Sequence, residues 1–93
     1  WIEALGLAKP GEGAKLIWDG ATDMGGVLPI NPSGGVISTN PIGATGLIRA
    51  GECALQIMGK AGARQVPGAK RAMSTGFGGC FWSDLLIYGD KKP

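Results

Sequence analysis

The chain has 93 residues, a net charge of +2, eighteen glycines, two cysteines and no histidine. That length admits one small domain, and a glycine content far above the usual ~7% raises the backbone entropy lost on folding, so a free-standing fold of this composition is under-supported. Lysine and arginine are scattered, with Lys70-Arg71 and Lys91-Lys92 the only adjacent pairs; this excludes a basic nucleic-acid face, and no apolar run approaches the ~18 residues of a membrane span.

The chain opens on Trp1-Ile2-Glu3-Ala4, with neither an initiator methionine nor a signal-peptide pattern, and is expected to start at an internal residue of a longer protein. Ile2, Leu5 and Leu7 predict the tail of a helix, ended by Gly6, Pro10 and Gly11. Residues 11 to 26 read as a glycine-punctuated loop in which Leu16-Ile17-Trp18 forms a short extended piece. Val27 to Ile30 is a short apolar run, Asn31-Pro32-Ser33-Gly34-Gly35 a turn, and Val36 to Thr39 too short to classify. Asn40-Pro41 pairs a good N-cap residue with proline at the first helical position. From there a helix is expected with Leu47, Gly51, Ala54, Leu55 and Met58 on its apolar face and Arg49, Glu52, Gln56 and Lys60 opposite, stopped by Gly59 and Gly62. Ala69 to Thr75 and Phe81 to Tyr88 predict two strands joined by Gly76-Phe77-Gly78-Gly79, the second apolar enough to be covered on both faces. Cys53 and Cys80 are too few and too far apart for a metal site; free structural thiols in a reducing, cytoplasmic setting are expected over the alternative, a disulfide between the two. Trp18 and Trp82 are expected to pack, and Glu12, Asp19, Asp23 and Glu52 form no defensible carboxylate pair.

Three stretches, Asn31 to Gly35, Asn40-Pro41-Ile42-Gly43-Ala44-Thr45-Gly46 and Gly76 to Cys80, agree in order and spacing with the closing motifs of one family. The chain resembles the C-terminal part of thiolase-superfamily proteins, above all the sterol-carrier-protein-type thiolases and their lipid-transfer-protein-like cousins. Lys9 to Gly13 and Gly62 to Ala69 join the resemblance, which covers nearly the whole length. It implies an α/β fold: residues 1–93 as the C-terminal portion of a βαβαβαββ half (strand, helix, terminal β-hairpin) in a subunit layered α/β/α/β/α. The family's nucleophilic cysteine lies in the other half.

The resemblance also places candidate site residues. At Asn40 the family carries the histidine of its G-H-P motif. Asparagine donates a hydrogen bond but does not titrate, so the position keeps the means to stabilise an oxyanion and loses the proton shuttle. Decarboxylating relatives of the ketoacyl-synthase III and chalcone-synthase type have asparagine here and leave proton transfer to a Cys and a His elsewhere. Gly76 stands where biosynthetic thiolases have an acid/base cysteine. Gly78 matches the glycine whose turn lends a backbone N–H to an oxyanion hole, and is assigned with Asn40 to the chemistry. Asn31, Gly34, Gly43, Gly76 and Gly79 are assigned to substrate approach, although tight turns and close packing demand the same glycines.

Two functions compete. The first is part of an acyl-CoA-dependent, thiolase-like acyltransferase that makes or breaks a carbon–carbon bond next to a thioester, by condensation, thiolysis or retro-aldol cleavage. Coenzyme A enters as a thioester substrate, with no covalently bound cofactor and no metal. The second is a non-catalytic member of the fold that binds acyl-CoA or lipid or acts as a scaffold. Either reading implies the remainder of the subunit as partner, a homodimer, and, as in some relatives, an OB-fold and zinc-ribbon acyl-CoA-binding protein.

Overall fold

The computed structural model describes residues 1–79 and 81–91, with Trp82 by its backbone alone. Residues 1–32 and 33–93 form two compact units. Cys80, expected as a structural thiol, and the side chain of Trp82, expected to pack, lie outside what is described.

In the first unit the expected helix tail is one turn. Leu5 N–H donates to Trp1 O at 2.8 Å, and the turn closes with Gly6 N–H on Glu3 O and Leu7 N–H on Ile2 O, the paired bonds of a Schellman motif with left-handed Gly6 at its pivot. The piece expected to be extended is instead helical: α1 covers Gly13–Trp18. Its adjacent apolar residues imitate a strand, but six residues are too few to show a helical period. Lys15 and Asp19 form an i,i+4 ion pair along it. The loop before α1 is held by Glu3, whose carboxylate accepts Gly13 N–H at 2.8 Å. Val27 to Ile30 forms no strand.

The second unit carries α2 at Gly35–Ser38, α3 at Thr45–Ile57, a 3-10 turn at Gly62–Arg64, and strands β1 at Arg71–Gly78 and β2 at Trp82–Gly89. The expected long helix is present but starts five residues after Asn40. Pro41 to Ala44 is a turn, closed by Ala44 N–H on Pro41 O at 2.9 Å. Gly43, with φ +90°, takes the place in it that a type II turn reserves for glycine. A left-handed residue cannot continue a right-handed helix, so α3 begins only beyond it. At the other end Gly59, at φ +69°, closes a second Schellman motif through Gly59 N–H on Gln56 O and Lys60 N–H on Leu55 O.

The hairpin is antiparallel and pairs Arg71 with Gly89 through Gly78 with Trp82. The expected glycine turn is shorter than read: Gly76 to Gly78 belong to β1, and the connection is residues 79–81. Strand alternation puts Ala72, Ser74 and Gly76, with their partners Tyr88, Leu86 and Asp84, on one face. Helix α3 packs on that face. Met73, Phe77, Leu85 and Ile87 lie on the other, where Ile87 is 73% exposed.

The rotation of α3 differs from the expected one. Cys53 and Gln56 are its buried residues, while Leu47, Gly51, Ala54 and Met58 are exposed. The α3–hairpin pair is therefore apolar on both outer sides, and among the described residues of the chain the buried apolar ones are Cys53 and Ala61.

Behind α3 a polar clasp takes the place of a larger core. Gln56, 5% exposed, donates through Nε2 to Glu52 Oε1 at 3.0 Å and Arg64 O at 2.7 Å, and accepts through Oε1 from Val66 N–H at 2.8 Å and Gln65 Nε2 at 3.2 Å. Arg64 returns to Glu52 with Nη2–Oε2 at 2.9 Å, and its guanidinium holds the Glu52 carboxyl below the usual range against the opposing effect of burial.

Candidate functional site

The turn at Pro41–Ala44 carries Asn40 to the amino end of α3. Thr45, first residue of the helix, points its hydroxyl back at 3.1 Å from both Asn40 Oδ1 and Pro41 O. Between two oxygens only the hydroxyl donates, so Asn40 Oδ1 is the acceptor and the Nδ2 amide is the group left to donate elsewhere. Asn40 is exposed. It is not the capping residue of α3, whose preceding position is Ala44 without a side-chain cap. The first-turn N–H groups of α3 thus have no side-chain acceptor, and the helix end is electropositive.

One turn into the helix, Gly46, Leu47 and Ala50 form one wall of a groove of about 280 Å³. The opposite wall is the helix-covered face of the hairpin: Ser74, Gly76, Asp84 and Leu86. Gly46 and Gly76 leave it open by having no side chain. A Cβ on Gly46 would meet nothing within 4 Å, and one on Gly76 would meet only Asp84 Cβ, at 4.0 Å. Ser74 is buried and its hydroxyl lies 3.0 Å from Tyr88 Oη. Asp90 N–H bonds Lys70 O, and the alternation of an antiparallel ladder then points the Thr75 carbonyl away from β2. Arg49 Nη1 takes that carbonyl at 2.9 Å, tying α3 to the free edge of β1.

Of the residues expected at a site, Gly76 lines this groove, and Asn40 is tied through Thr45 to the turn of helix that opens it. Gly78 closes the ladder opposite Trp82; Gly79 follows with φ +58°. Gly34, at φ +85°, precedes α2, where a Cβ would lie 2.6 Å from that of Ser38; its glycine is explained by that packing. Asn31 adopts φ +51°, the one non-glycine described with positive φ, and belongs to the other compact unit. Cys53 is a free, buried thiol whose ionisation burial disfavours. Among the described residues no cluster of three or more His, Cys, Asp or Glu stands together, and no helix is long and apolar enough to cross a membrane.

The sequence reading did not single out Asp84, an exposed side chain that lines the groove. Aspartate is depleted in strands, and its place between Ser83 and Leu85 in an otherwise apolar run was the available signal. Its facing α3 depends on the register with Gly76, which only the fold supplies.

Residues 1–89 match the family model described as "Thiolase C-terminal domain-like". The chain is 52% identical over 90 residues to a sterol carrier protein 2 of Homo sapiens, covering 94% of this chain and 16% of that protein. It is 44% identical over 79 residues to an acetyl-CoA acetyltransferase of Methanothermobacter thermautotrophicus, with 84% and 21% covered. A non-specific lipid-transfer protein-like 2 of Caenorhabditis elegans is 48% identical over 77 residues, with 82% and 19% covered. The chain therefore spans about a fifth or less of the length of these relatives. Its α/β arrangement of helix and terminal antiparallel hairpin agrees with the match, and the chain belongs to the thiolase C-terminal domain-like family.

Proposed function

We propose that this chain is the C-terminal part of a thiolase-like acyltransferase that makes or breaks a carbon–carbon bond beside a coenzyme A thioester. The observation that carries the reading is the amino end of α3: Thr45 fixes Asn40 by its Oδ1, which turns the Nδ2 donor outward at a helix end with uncapped N–H groups. Charge develops on a thioester oxygen when the adjacent bond forms or breaks, and an oriented donor at an electropositive helix end stabilises it. In this reading the bend after Gly78 lends a backbone donor at Gly79, and bare Gly76 leaves room for the acyl group. Neither Asn40 nor Gly76 exchanges protons, so the nucleophile comes from the remainder of the subunit.

The apolar outer sides of both α3 and the hairpin support that larger body: each layer awaits another, as in an α/β/α/β/α stack. A homodimer, a cytoplasmic location and an OB-fold, zinc-ribbon partner belong to the same reading. The lipid-transfer relative and the asparagine in place of histidine favour a second reading, in which the fold holds an acyl-CoA or lipid without reacting.

The test is Asn40→Ala in the full subunit. Loss of one aligned oxyanion donor lowers kcat by ~100- to 1,000-fold with substrate affinity kept. Unchanged kcat removes Asn40 from the chemistry, and tight acyl-CoA binding without any turnover in the parent selects the second reading.

A further inference from the structure

We draw no further inference here: the strongest candidate, the exposed apolar outer face of the hairpin formed by Met73, Phe77, Leu85 and Ile87, carries nothing because nothing in the structure shows what covers it.

Discussion

Replacing Gln56 with leucine tests whether a polar clasp substitutes for a hydrophobic core. The side chain is almost fully buried and makes four hydrogen bonds of 2.7 to 3.2 Å, two to backbone groups of Arg64 and Val66. Leucine keeps the volume and leaves Val66 N–H and Arg64 C=O without their partner. A net ~1 kcal/mol per bond, discounted because the bonds share one network, gives a local cost of about 2 to 4 kcal/mol. In the full subunit this is best read locally, since a large protein seldom melts in two states. The Val66 amide is expected to exchange with solvent deuterium roughly 30-fold faster or more, while amides of β1 and β2 change little. Val66 protection equal to wild type would refute the idea that this network closes the 61–66 segment.

Two glycines of the candidate site separate strain from crowding. Gly34→Ala meets both a left-handed φ and the Ser38 Cβ at 2.6 Å, whereas Gly43→Ala at φ +90° enters open space. The second is expected to cost the ~1 to 2 kcal/mol of the backbone conformation and the first distinctly more, read as limited-proteolysis rates of the 33–45 segment; equal rates would show that the packing against Ser38 is loose. The Glu3 carboxyl is held below its ordinary value of 4.5 by the N–H groups of Gly11 and Gly13. A depressed value means that the stability Glu3 contributes is complete above the unfolded value and disappears as pH falls through the folded one. The Gly13 amide shift is therefore expected to move on acidification below 4.5, and Glu3→Gln to abolish that movement.

How much of this was legible beforehand varies with the length of each signal. The thirteen residues of α3 show their period and their glycine stop. Its start was misplaced because Asn40-Pro41 suits a turn as well as a cap, and only Gly43 at positive φ tells them apart. The hairpin followed from composition, but its connection was read too long because glycines inside β1 look like turn residues. The first unit's α1 has too few residues for a period. The face of α3 was read inverted: small Gly51 and Ala54 were expected to face the sheet and are exposed, while Cys53 and Gln56 are the buried residues, Gln56 because its amide joins the network with Glu52, Arg64 and Val66. Asn40 and Gly76 were visible as motif positions. The groove and Asp84 were not, since they arise from a register and a helix rotation that no local stretch encodes.

The two-sidedness of the α3–hairpin pair has a consequence for interpreting variants. Within these 93 residues, a polar substitution at Ile87 or Ala54 removes almost no contact and is expected to be harmless or even solubilising. If neighbouring layers cover those positions in the intact subunit, the same change strands a polar group in a dry seam. A position's tolerance would then reverse sign between the excised piece and the whole, so a mutational map taken from either one is an outline of what the other lacks.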